Sequence, residues 1–441
     1  MKLSYFINTK KKTICIVPSF LKKIYIKKNF YPLPNNIFLR KIITFIYLKI
    51  FRKSSIIMTL LLKTKIKWKN PRKFQFIIFD DNSVGTVDKV LPSSKYFILT
   101  NRIQNISEIY ISKKIIFYLL KNLFKQKIKI NYLCCIIKLV KPNKIITIID
   151  NSEEFHIIYK IFKNSDIQFY ALQNAVRHQD AYKRIFSMAN YSANYFCFGN
   201  YELNSIKKNS LHNKTLNIKA IGSLRVELAK EFLSKKNKNR IKHIYDICLI
   251  SEASSEIGSS GSLKLAHWKN NQRVAAKILR YTLRFCKEHN KKLLFLGRRN
   301  IDEKLGQEEE DLYYKYKNDV GKFKISFFDK YRHENIKNLL QSKVVVAQTS
   351  TLLREAFGLK KKILVCEWGA KKYREKDYNT NAFSEKGIVK LKSSTYQDFE
   401  KRLFKILKID SKQYFMDAHD AKSIYNLDFN TLKFLRNEMR K

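Results

Sequence analysis

No CxxC pair occurs among the seven cysteines, and their number is odd, which excludes a disulfide framework and a zinc-ligand pattern. Cys15, Cys134, Cys197, Cys248 and Cys366 sit inside apolar runs, where burial in a reducing compartment is expected. Also missing is an uninterrupted apolar run of about twenty residues, the length a membrane span needs. The most apolar region, residues 37–62, is broken by Arg40, Lys41, Lys49, Arg52 and Lys53. The first twenty residues lack the apolar core and small-residue cleavage site of a secretory signal. There is no Walker loop, GxSxG elbow, HExxH helix or kinase motif set. Asp80-Asp81 and Asp150 end separate apolar runs, and no DxD stands in a matching context, so neither a metal nor a cofactor is expected.

Acidic residues are scarce as well: 37 against 88 lysines and arginines, a formal net charge of +51. Such a balance suits a polyanionic partner. Lysine supplies most of it, and Ile, Asn, Phe and Tyr are abundant beside it, a usage that AT-rich coding produces without selection for a basic surface. Arginine, the side chain suited to bidentate phosphate and base contacts, is not enriched, so no nucleic-acid partner is expected. An anionic membrane surface or a nucleotide-linked substrate accounts for the charge more directly. Residues 37–62 can lie on such a membrane as a basic, aromatic amphipathic helix or pack as a helix of the N-terminal domain, and both readings stand. The expected location is cytoplasmic, peripheral on the inner membrane face.

What is present is a core-forming chain of 441 residues, 45% hydrophobic, long enough for two or three domains. After a basic lead over residues 1–70, apolar runs of strand length alternate with helical patterns. Strands are expected at FQFIIFD, KYFILTNR, KIITIIDN, DIQFYAL, YFCFGN and IKAIG, then, beyond the polar stretch 231–243, at YDICLISE, KLLFLGRR, KISFFDK, KVVVAQ and KKILVCEW. That alternation predicts an α/β fold with parallel sheets and right-handed crossovers. The expected partition is an N-terminal extension at 1–70, a Rossmann-like domain at 71–230, a second Rossmann-like domain at 244–410 and a polar tail at 411–441. Ligands of such sheets bind at the carboxyl ends of the strands, which locates the candidate residues.

In VVVAQTSTLLREAFGLKKKILVCEW, Thr349, Ser350 and Thr351 open a helix and Glu355 follows one turn in. A helix start of this kind offers N–H groups, hydroxyls and positive potential to a phosphate, with the carboxylate placed for ribose hydroxyls. The same spacing also describes an ordinary capped crossover helix with Glu355 facing solvent. Arg298 and Arg299 end a strand and can neutralise a leaving diphosphate, or form a solvated turn. His333 precedes a helix and can reach a base or phosphate, or serve only the helix start. Gly222, Ser223 and Arg225 form a turn into a helix that can act as a hinge, a phosphate contact or simply a tight turn. The loop SEASSEIGSSGSLKLAHW follows the first strand of the second half and is long and small enough to close over a ligand.

Taken in order, KPNKIITIIDN, FYALQNAVRH, FCFGN, AIGSLRVE, LLFLGRR, the stretch ending in LVCEW, and DYNTNAFSEKG resemble the bacterial surface carbohydrate biosynthesis family, related to the CDP-glycerol glycerophosphotransferases. The resemblance spans roughly residues 72–430 and implies the GT-B fold: two Rossmann-like domains facing a cleft. It implies a transferase that moves a glycosyl or polyol-phosphate group from a nucleotide-sugar or CDP-polyol donor to a glycan or lipid-linked acceptor. A nucleotide-sugar epimerase of the same architecture and a non-catalytic, carbohydrate-binding member stay open beside it. In that fold Gln173, Asn174 and the following loop face the cleft, His178 can act as the general base and Arg177 can clamp an anionic group, or pair with Asp180. The family reads Gln-Asn-Gly where this chain has Ala175, a residue that resists positive φ.

Overall fold

The computed structural model describes residues 3–8, 13–18, 65–93, 95–102, 106–175, 194–209, 217–236, 242–252, 262–297, 323–326, 333–348, 350–366, 368, 387–418 and 430–441. The chain divides into two compact units, residues 1–72 with 100–139, and residues 73–99 with 140–441. In the first unit, β1 (Leu3–Asn8) pairs antiparallel with β2 (Thr13–Pro18). Further along, β3 (Lys65–Lys67) pairs in parallel with β6 (Glu108–Tyr110), followed by helices α1 (Lys113–Lys121) and α2 (Ile128–Val140). The amphipathic helix expected at 37–62 lies outside the described residues.

The second unit holds two six-stranded sheets. In the first, β4 (Phe76–Phe79), β5 (Phe97–Leu99), β7 (Lys144–Thr147), β8 (Gln168–Leu172), β9 (Asn194–Cys197) and β10 (Asn217–Ala220) lie in the order β10-β9-β8-β7-β4-β5, every pairing parallel. β4 and β7 are buried at every position, which is why they read as continuous apolar runs rather than as alternating ones. One face packs on α3 (Glu153–Phe162), where Phe155 and Phe162 meet Phe169 of β8. Ser152 starts that helix by accepting the N–H of Phe155, with Glu153 and Glu154 in its first turn. α4 (Asn200–Asn209) and α5 (Leu224–Lys236) complete this half, and α5 carries into the stretch expected as a linker.

In the second sheet, β11 (Tyr245–Ile250), β12 (Leu293–Leu296), β13 (Phe323–Ser326), β14 (Ser342–Ala347), β15 (Lys362–Cys366) and β16 (Lys390–Leu391) take the order β13-β12-β11-β14-β15-β16, again all parallel. That is the doubly wound Rossmann order, with its switch point between β11 and β14. Its helices are α6 (Ser262–Glu288), α7 (His333–Leu340), α8 (Thr351–Gly358), α9 (Tyr396–Lys408) and α10 (Ser411–Asp417). The phenol of Tyr414, on α10, accepts the N–H of Ile363 at 2.9 Å and donates to its carbonyl at 2.7 Å, so it satisfies the start of β15, which the short β16 does not reach.

Two elements join the halves. α5 gives Leu224 and Leu228 to the first core and Ala229 to the second. The last helix, α11 (Thr431–Arg440), returns to the first sheet and buries Leu432, Leu435 and Met439 there. Lys144, buried in β7, donates to the carbonyls of Glu438 (2.7 Å) and Met439 (3.1 Å) at its last turn. Residues 411–441 read as a polar tail in sequence, and in the structure they carry α10 and this returning helix. Two doubly wound parallel sheets with a shared helix and a C-terminal crossback make the architecture GT-B-like, as the sequence led us to expect.

Candidate functional site

The carboxyl ends of the first sheet's strands are tied together by polar side chains. Asp150, fully buried after β7, accepts the N–H of Asn174 at 3.2 Å and the phenol of Tyr195 at 2.6 Å. Gln173 accepts the N–H of Phe198 at 3.0 Å and donates to the carbonyl of Ala175 at 3.0 Å. Arg225 donates to the side-chain oxygen of Asn174 at 2.9 Å and lies 3.4 Å from its carbonyl. This Gln-Asn loop is therefore held from three sides. Ala175 is not among the residues with positive φ, so the missing glycine costs the turn nothing. At Gly222 the backbone does enter the left-handed region, with φ at 86°, where glycine is the unstrained choice. Ser223 follows and starts α5, its hydroxyl accepting the N–H of Val226 at 3.4 Å.

The same hydroxyl donates to Glu355 Oε1 at 3.2 Å, which links the first half to α8. Glu355 is only 4% exposed, and its other oxygen, Oε2, has no hydrogen-bond partner. The reading in which Glu355 faces solvent on an ordinary crossover helix is thus overturned. Glu355 lines a small pocket with Gln173, Asn174, Gly222, Ser223 and Arg225, so six predicted residues from distant parts of the chain come together there. Beside it a second link runs between the halves. Arg354 of α8 approaches Glu202 of α4 at 3.7 Å, with Glu202 wholly buried. Burial pushes the Glu202 carboxyl up to about 7, against the opposing pull of Arg354.

A second small pocket opens at the switch point of the second sheet, lined by Ser251, Glu252, Phe295, Gln348 and the inner face of α6. Here the start of α8 is informative. Ser350 is the N-cap residue but makes no side-chain cap bond. Instead, one oxygen of Glu252, from the end of β11, accepts the N–H groups of Gln348 at 2.9 Å and Ser350 at 2.8 Å. Two backbone donors at a helix start converge on a single anionic oxygen, the arrangement that a phosphate oxygen also fills. Gln348 is 5% exposed. Sequence reasoning passed over Glu252; the signal was a carboxylate ending an apolar strand at the switch point. Of the lysines after Gly358, Lys361 donates to the carbonyl of Leu340 at 2.9 Å and Lys362 to that of Ile406 at 3.0 Å, so both serve helix C-termini.

His178, Arg177, Thr349, Arg298 and Arg299 lie outside the described residues, as do residues 253–261 of the loop 251–268, while 262–268 belong to α6. His333 is the first residue of α7. Thr351 opens α8 and is half-buried. One trio among the described residues, Glu288, His289 and Glu400, gathers metal-type donor atoms, away from both pockets on α6 and α9. Its members are already bonded, His289 to Glu400 at 2.6 Å and Glu288 to Arg284 at 2.7 Å.

Among solved structures the chain is similar to a glycosyltransferase from Rickettsia africae, at 13% identity over 84% of this chain and 100% of that one, TM-score 0.44. It is also similar to the UDP-GlcNAc 2-epimerase of Methanocaldococcus jannaschii, solved with UDP-GlcNAc and UDP, at 12% identity over 83% and 98%, TM-score 0.49. A third is the wall teichoic acid polymerase TagF, at 11% identity over 91% and 96%, TM-score 0.47. No known sequence family and no curated protein matches the chain. The architecture rests on the chain's own strand order, its shared α5 and its returning α11.

Proposed function

We propose that the chain is a transferase that takes a glycosyl or polyol-phosphate group from a nucleotide-activated donor and places it on a glycan or lipid-linked acceptor. The observation that carries this reading is the pair of N–H groups of Gln348 and Ser350 aimed at one anionic oxygen at a Rossmann switch point. In the donor complex a phosphate oxygen takes the place that the Glu252 carboxylate holds. The Ser350 hydroxyl, which caps nothing, and Thr351 add donors to the same phosphate. Glu355 Oε2, buried and unpartnered, accepts a hydroxyl of the nucleotide's ribose while Oε1 stays on Ser223.

The acceptor enters from the first half, over the Gln173–Asn174 loop that Asp150 and Arg225 hold in place. Its hydroxyl loses a proton to His178, a new bond forms to the transferred carbon or phosphorus, and the bond to the departing nucleotide breaks. The leaving group is a nucleoside diphosphate in glycosyl transfer and a nucleoside monophosphate in polyol-phosphate transfer. Its charge is met by the α8 N-terminus and by Arg298 and Arg299, with Arg177 on the donor phosphate or an anionic acceptor and His333 near the base or phosphate. No metal enters this scheme, since fixed cationic and backbone groups answer the charge.

A thermal-shift panel of CMP, CDP, UDP, GDP and their sugar and glycerol conjugates tests the reading. One nucleotide class should stabilise the protein, and Glu355→Ala should abolish that shift. A panel without any response would remove the proposal, and an unchanged shift in the variant would remove Glu355 from the site. Incubation with the responding donor alone should leave its sugar unepimerised.

A further inference from the structure

The basic charge is not spread evenly. The first compact unit, residues 1–72 and 100–139, holds 26 lysines and arginines and a single carboxylate, Glu108. No other acidic side chain occurs between Glu108 and Asp150. Within this unit α1 turns one side inward, with Ile115 buried, while Ile116, Phe117 and Leu120 stay exposed. Past the helix end Leu123, Phe124 and Ile128 are exposed as well. Phe117 is 69% exposed and Phe124 97%. The turn that presents Phe124 is built: the Asn131 amide donates to the carbonyls of Asn122 at 2.5 Å and Gln126 at 3.1 Å. Lys113, Lys114, Lys121, Lys125 and Lys127 are all exposed around these apolar side chains. Trp68, 75% exposed, stands two residues before Asn70, which accepts the hydroxyl of Ser112 at the start of α1.

From this we infer that residues 113–128 are a docking surface for an anionic lipid bilayer, the aromatic and aliphatic side chains entering the headgroup boundary and the lysines pairing with lipid phosphates. A soluble surface rarely keeps so many large apolar side chains together, and lysines interleaved with them fit an interface that is apolar below and anionic above. A nucleic-acid groove would match the charge but offers nothing to Leu120, Leu123 and Ile128. This surface needs no nucleotide chemistry, so it stands or falls apart from the proposed transfer.

Co-sedimentation of the full chain with vesicles of phosphatidylcholine containing phosphatidylglycerol, against phosphatidylcholine alone, tests it. The protein should bind the anionic vesicles and be released by high salt. Phe117→Ser with Leu120→Ser and Phe124→Ser should weaken binding at least about tenfold. Lys121→Gln with Lys125→Gln should weaken it about fivefold per lysine. Both variants should keep the wild-type melting temperature and nucleotide response, because the altered side chains face solvent. Wild-type protein that ignores anionic vesicles, variants that bind as wild type, or a duplex DNA affinity lost in place of vesicle affinity would each overturn the inference. A triple variant with a markedly lower melting temperature would overturn it too, by showing that another part of the chain covers these side chains.

Discussion

Single side chains carry the coupling between the two sheets: a serine hydroxyl meets a glutamate, and an arginine meets another. Glu355 and Arg354 are neighbours on α8, and each reaches a different element of the first half, Ser223 and Glu202. Glu202 is the titrating member. Its folded value of about 7 lies above the 4.5 of a free glutamate, so the folded state holds that proton more tightly than the unfolded chain. The stability it contributes is complete below about pH 4.5 and is lost as pH rises through about 7. Melting temperatures measured across that window should fall with pH in the wild type, and Glu202→Gln should lack that part of the slope; an identical slope in both proteins would show that Glu202 is ionised throughout. Ser223 and Glu355 were both named from sequence as site residues, but nothing in their local spacing announced that they meet, because 132 residues separate them. The Glu202–Arg354 pair was invisible for the same reason: a charged side chain in an amphipathic helix reads as surface until the facing helix is placed.

Elements were the most legible level. Buried parallel strands must be apolar on both faces, so β4, β7, β11, β14 and β15 stood out as unbroken runs and each was located to within a few residues. Sheet order was implied only through the α/β alternation, since register depends on contacts between strands. The element that escaped was α11. Lys433, Arg436, Asn437 and Arg440 give it a polar side, and its apolar partners lie on a sheet some 200 residues or more upstream in sequence, such as Ile221, whose carbonyl accepts from Thr431. Leu435 is fully buried against that sheet. Leu435→Ala should therefore cost about 2–5 kcal/mol and lower the melting temperature of the whole protein, not merely loosen a terminus. Melting unchanged from wild type would mean that the returning helix contributes no core.

At the scale of the whole molecule, net charge is unevenly divided: the first unit, about a quarter of the chain, carries +25 of the +51. The second unit holds the two sheets, both pockets and most of the acidic residues, while the first concentrates basic charge and exposed apolar side chains. A uniform count of +51 concealed that division, since it arises from where acids are missing rather than where lysines cluster. The central claim concerns the second unit: the N–H groups of Gln348 and Ser350 form an oxyanion seat for a donor phosphate, held by Glu252 until the donor arrives. Glu252→Gln keeps the shape of that side chain but replaces its charge with a weaker neutral acceptor. Titration calorimetry of the responding nucleoside diphosphate against wild type and Glu252→Gln measures the competition directly. The account predicts several-fold tighter binding to the variant; equal or weaker binding, or none to either protein, would contradict it.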